Sequence, residues 1–84
     1  MLGINDISGQ IVDSAYHIHY KLGPGLYESV YETILARDLA ARGLKVERQK
    51  RVPVQYEELH FDEAFRLDLL VNDMIIVEVK AWMR

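Results

Sequence analysis

The chain has 84 residues, 50% of them hydrophobic and 27% charged, and 13 acidic against 10 basic side chains leave a net charge of −3. Folding would bury roughly 64% of the extended surface of such a chain, enough for one thin core and no second domain. Without cysteine there is no disulfide framework, thiolate zinc site or cysteine nucleophile, and no Lys/Arg block gives the footprint of a strong nucleic-acid binder.

The longest wholly apolar run, Met74 to Val77, is far short of the ~18 residues that cross a bilayer. Met1 to Asp6 has neither the basic nor the apolar region of a signal peptide. The expectation is one cytoplasmic domain with no membrane partner.

Periodicity divides the chain into a helical first half and an extended second half. Ile4, Ile7, Ile11, Ala15, Ile18 and Leu22 recur at steps of three and four, which predicts a first helix over about Asn5 to Leu22 with this stripe inward. Asn5 is the expected N-cap, and Asp6 suits the positive end of the helix. Gly23-Pro24-Gly25 then stops it, because Pro24 disfavours helical geometry at Gly23 and both glycines can take positive φ. A second helix is predicted over about Leu26 to Arg42, with Val30, Tyr31, Ile34, Leu35 and Leu39 inward. Gly43 is its expected left-handed C′ residue, and Arg42 is favourable in the last turn.

From Leu44 the pattern turns β-like. Leu44, Val46, Val52, Val54 and Tyr56 sit among charged residues in partial alternation, which predicts a long or bulged first strand. Pro53 cannot donate a ladder hydrogen bond and marks an edge or a bulge. Glu57 to His60 reads as a turn, Ala64 to Val71 as the second strand, Asn72-Asp73 as the next turn and Met74 to Ala81 as the third strand. The predicted fold is α+β, two N-terminal helices followed by a three-stranded antiparallel meander. Ile75 to Val79 would be apolar on both faces near the hairpin, and the sequence stops soon after, at Arg84. Such a strand invites pairing. It is expected to be covered by a second copy, giving a homo-oligomer through the third strand, or to be part of a longer chain.

The chemistry concentrates in Asp68 and Glu78-Val79-Lys80. Glu78 and Lys80 are two apart on a strand and share a face. Asp68 interrupts the apolar run Leu67-Asp68-Leu69-Leu70-Val71, and a charge placed among apolar residues is costly unless paired or liganded. Two carboxylates and a lysine are the parts of a Mg²⁺ site, where the ion would polarise a phosphate oxygen and the lysine would orient a water. The competing account is a structural salt-bridge cluster.

Parity decides whether the site can form. A two-residue turn at Asn72-Asp73 would pair Asp68 with Val77 and put Glu78 on the opposite face. A three-residue loop, Asn72-Asp73-Met74, pairs Val71 with Ile75, Leu70 with Ile76 and Asp68 with Glu78. Leu67, Leu69, Val71, Ile75, Val77 and Val79 then make a wholly apolar core face. The odd loop or an equivalent bulge is therefore predicted, and the loop would put Met74 in the left-handed position. His17 and His19 lie on different helix faces and cannot chelate together. Arg48, Lys50 and Arg51 read as a solvated strand face.

Leu22-Gly23-Pro24-Gly25-Leu26-Tyr27-Glu28-Ser29-Val30-Tyr31 closely resembles the signature of the GxxExxY proteins of the PD-(D/E)xK nuclease-like superfamily, with Gly25, Glu28 and Tyr31 supplying the motif. Ile18-His19, Gly43 to Gln49, Arg66 to Val71 and Val77 to Ala81 also look like the family, so the resemblance covers essentially the whole chain. It implies divalent-metal-dependent phosphodiester hydrolysis of nucleic acid, with Mg²⁺ or Mn²⁺ as cofactor. Asp68 and Glu78 would be metal carboxylates, the Val79 carbonyl a main-chain ligand and Lys80 the catalytic lysine. Glu28 would be a helix-borne acid completing the site, with Tyr31 one turn along to orient it. The superfamily core is αβββαβ, so the helix and strand that follow the third strand are expected to be missing. The alternative is a non-catalytic interaction or oligomerisation module that keeps the fold.

Overall fold

The computed structural model describes residues 3–80, with α1 (Ile4–Leu22), α2 (Glu28–Ala41), β1 (Val46–Tyr56), β2 (Leu59–Val71) and β3 (Ile75–Val77). Two helices thus precede a three-stranded antiparallel sheet in the order β1-β2-β3, the predicted α+β arrangement. Ala81, where the third strand was expected to end, and Trp82-Met83-Arg84 lie outside the described residues.

α1 starts one residue earlier than predicted. Its N-cap is Gly3 rather than Asn5, and the Asp6 carboxylate accepts the Gly3 N–H at 3.1 Å. An acid at the third helical position thereby satisfies a backbone donor that a glycine cap leaves open. The buried stripe is Ile7, Ile11 and Ser14 with Ile18 half-buried, while Ile4, Ala15 and Leu22 are exposed. Ser14, not Ala15, goes inward because α2 offers its hydroxyl an acceptor, the Asp38 carboxylate. A hydroxyl can be buried when it is hydrogen-bonded.

α2 begins at Glu28, later than Leu26, because Gly25 sits at φ 102° and Tyr27 stays extended. It buries Leu35, Ala36 and Leu39, together with the acid Glu32. Val30, expected inward, is exposed. Arg42 follows the last turn and pairs with Asp38 and Asp13, each at 3.0 Å, and donates to the Gln10 side chain at 2.7 Å. Gly43, at φ 87°, closes α2: its N–H bonds to the Ala40 carbonyl, and the Leu44 N–H bonds to that of Leu39. This is a Schellman closure, with Leu44 and Leu39 both buried as its apolar contact.

β1 pairs with β2 from Val46↔Val71 to Tyr56↔Leu59, and the register shifts between Val52↔Phe65 and Val54↔Phe61. The irregularity predicted at Pro53 is present, and the extra residues sit opposite it in β2. Glu57-Glu58 alone makes the turn, with Glu57 at φ 53°, so β2 starts at Leu59 rather than Ala64.

β2 and β3 are joined by the three-residue loop that parity required, with the pairs Val71↔Ile75, Leu70↔Ile76 and Leu69↔Val77. The left-handed residues are Asn72 (φ 51°) and Asp73 (φ 56°), not Met74. Asn and Asp tolerate that geometry better than a long side chain does. Asn72 is also held in place, its side-chain oxygen accepting the Lys45 N–H at 2.7 Å and its own N–H donating to the Lys45 carbonyl at 2.8 Å.

The predicted core face is the observed one. Leu67, Leu69 and Val71 are buried, and Ile75, Val77 and Val79 pack half-buried against a cluster that includes Ile7, Ile11, Leu35, Leu39 and Leu44. The distal β1–β2 hairpin runs past the helices. The Cα radius of gyration is accordingly 14.7 Å, against about 12 Å for a compact domain of this length.

Candidate active site

Asp68 lies on β2 between two buried neighbours that face the core, Leu67 and Leu69, and the paired register ends at Leu69↔Val77, so Asp68 and Glu78 are the next residues along the two strands. Regular pairing stops at Val77, and the Val79 N–H donates instead to the Asp68 carboxylate at 2.8 Å. One side chain therefore anchors the end of the third strand. Alternation turns Val79 into the core and leaves Glu78 and Lys80 exposed on the face of Asp68.

The electrostatics agree with this placement. The Glu78 carboxyl is held above its ordinary range, first by local desolvation, then by the negative charge of Asp68 and a hydrogen bond shared with it, while Lys80 pulls it the other way. Asp68 and Lys80 are thus each within interaction range of Glu78. The negative charge of Asp68 raises the proton affinity of Glu78, a repulsion that a cation held by the two would relieve. The donors are hard oxygens, the set that suits Mg²⁺ or Mn²⁺, and Mg²⁺ commonly takes one or two carboxylates and keeps several waters.

Glu28 stands at the first position of α2, where a carboxylate is favourable beside the helix dipole. Among the described residues no three His, Cys, Asp or Glu side chains gather closely enough to hold a cation together, so Glu28 does not form a three-acid group with Asp68 and Glu78. Tyr31 is half-buried, and its hydroxyl donates to the Gly23 carbonyl, tying α2 to the turn that follows α1. Beside Glu78, the residues Ile11, Ile18, Tyr31, Leu35 and Val79 line an apolar pocket of about 190 Å³ between the helices and the end of β3.

Glu32 was not singled out from the sequence. It is 7% exposed, accepts a hydrogen bond from the Gln49 amide at 2.7 Å, and lies 4.0 Å from the Arg48 guanidinium. Gln49 reaches it from a left-handed position in mid-strand (φ 51°), at the point where the ladder skips from Arg48↔Leu69 to Lys50↔Leu67, opposite Asp68. The available signal was the spacing Glu32, Leu35, Ala36, Leu39, which puts a charge on the buried stripe of a helix.

The sequence pattern of the PD-(D/E)XK nuclease superfamily matches residues 5–84. No curated protein and no solved structure matches the chain. A match over nearly the whole length, two helices feeding a three-stranded antiparallel sheet, and an aspartate set beside Glu-x-Lys lead to one conclusion: the chain belongs to the PD-(D/E)XK nuclease superfamily.

Proposed function

We propose that this chain hydrolyses phosphodiester bonds of nucleic acid with Mg²⁺ or Mn²⁺ as cofactor, and that within the superfamily it is one of the GxxExxY proteins, on the strength of Gly25, Glu28 and Tyr31. The cytoplasm is the compartment that fits this reading. The observation that supports it is that Asp68 and Lys80 both act on the Glu78 carboxyl, just past the last strand pair Leu69↔Val77. Asp68 and Glu78 would hold the ion, with the Val79 carbonyl as a further oxygen donor.

When bound, the ion supplies charge that polarises a phosphate oxygen and lowers the pKa of a coordinated water. The remaining work belongs to the chain. The Asp68 carboxylate fixes the strand end by accepting the Val79 N–H, so Glu78 and Lys80 are presented at a set spacing. Lys80, exposed beside Glu78, would bind a phosphate oxygen and orient the attacking water. It also steadies Glu78 in its ionised form, opposing the effect of Asp68.

The test is cleavage of single- and double-stranded DNA and RNA with Mg²⁺ or Mn²⁺, run beside Lys80→Ala and Asp68→Asn. The reading predicts cleavage by the wild type and loss of at least a hundredfold in either variant, in line with removing a positioned catalytic group. No cleavage of any substrate, or equal cleavage by Lys80→Ala, rejects it. Manganese titration calorimetry separates the roles, because Asp68→Asn should lose binding while Lys80→Ala keeps it.

A further inference from the structure

The distal half of the β1–β2 hairpin is amphipathic in a way the site does not use. The cross-strand pairs Val52↔Phe65, Val54↔Phe61 and Tyr56↔Leu59 share one face, while Arg51↔Arg66 and Gln55↔His60 share the other. The first face continues the core face of the sheet beyond the reach of the helices. Val54, Tyr56, Leu59, Phe61 and Phe65 are 39–65% exposed. With about 150–250 Å² for a large side chain, these five leave roughly 500 Å² of largely apolar surface in water. A patch of that size matches the largest found on ordinary monomers, about 300–600 Å², which are often functional.

The charges along the arm indicate what covers it. At the base, Arg48 and Lys50 lie on the side of the apolar face and Arg51 and Arg66 on the other, together outnumbering Glu32, Glu47 and Glu63, while the tip carries Glu57, Glu58 and Asp62 against His60 alone. The arm is therefore basic at one end and acidic at the other. A second arm laid antiparallel on the first sets acidic tip over basic base twice. Parallel stacking, by contrast, would oppose like charges.

We propose that the arms of two copies of this chain pack face to face and antiparallel about a two-fold axis, forming a homodimer. Complete burial of two such faces would remove about 1,000 Å² of apolar surface, close to the lower end of stable interfaces at about 1,200 Å². Isologous contact about a two-fold is the commonest oligomer geometry, and sheets packed this way sit about 10 Å apart. This surface is distinct from the edge of the third strand.

Sedimentation of the 84-residue chain over about 1–100 µM tests it. A dimer is expected, with association weakened at least tenfold by Phe61→Glu. The double variant Glu57→Lys with Glu58→Lys should also weaken it, more at low salt than at high salt. This second variant alters only the exposed turn, so it reports on association even if Phe61→Glu perturbs the arm. Ile76→Lys should leave the dimer intact. A wild-type monomer at about 100 µM, including one that assembles only on added DNA or RNA, overturns the proposal. So does a dimer abolished by Ile76→Lys but indifferent to Phe61→Glu and to the tip variant.

Discussion

Ser14→Ala should destabilise the protein by about 1.5 kcal/mol, for a reason that pH can expose. Ser14 is fully buried in α1 and donates to the Asp38 carboxylate of α2. A hydrogen bond to a charged group contributes about 1.5–3 kcal/mol. The lower end applies here, because the Asp38 side chain is 42% exposed and keeps Arg42 at 3.0 Å, and alanine leaves no buried hydroxyl unsatisfied. For a domain of this size the shift in Tm is about 6–12 °C. The Asp38 carboxyl is held below its ordinary value of 3.8, chiefly by the Ser14 hydrogen bond and, against some desolvation, by Arg42. A depressed carboxylate stabilises the fold above its unfolded pKa, and that stability is lost as pH falls through the lower native value. The gap between wild type and Ser14→Ala should therefore be widest near neutrality and narrow below pH 3.8. Urea denaturation followed by circular dichroism at neutral and acid pH measures it. A difference that stays constant across this range, or one below about 0.3 kcal/mol at neutrality, would refute the assignment to a charge-assisted bond.

Other outcomes follow from the same geometry. Leu69→Ala, at a side chain with no exposure in the centre of β2, should cost about 3 kcal/mol in chemical denaturation. Gly43→Ala should cost about 1 kcal/mol although a Cβ there meets nothing within 4 Å, because φ is +87°. Gly9→Ala, equally uncrowded but inside α1, should instead stabilise by about 0.5–1 kcal/mol, so thermal melts of the two variants should move in opposite directions. Manganese should raise Tm at neutral pH, by an amount equivalent to about 2.7 kcal/mol at a hundredfold excess over Kd. The Glu78 pKa is raised above 4.5, so protons compete before that value is reached, and the shift should shrink as pH falls toward it. An equal shift at pH 5 and pH 7.5 would count against Glu78 as a ligand.

Much of the site was legible because strand alternation is strict. Only an odd loop or an equivalent bulge gives β2 and β3 a common apolar face, so demanding that face for Leu67, Leu69, Val71, Ile75, Val77 and Val79 selected the register seen through Leu69↔Val77, next to Asp68 and Glu78. Met74 was misjudged because the parity argument concerns side-chain faces and says nothing of backbone hand. The hydrogen bonds of Asn72 to Lys45, just before β1 and far off in sequence, are part of what holds the left-handed turn there. Ser14 and Glu32 were missed for a related reason. Each is a polar residue whose burial depends on a partner in another element, Asp38 or Gln49.

Local pattern thus determined the elements, their order and the face each strand buries, since these rest on periodicity, on glycine stops and on the cost of exposing apolar side chains. Tertiary structure decided which polar groups could go inside and where the strand ends. It also decided how far the hairpin outruns the helices. Those outcomes depend on hydrogen-bond partners and packing neighbours remote in the chain, and no local spacing encodes them.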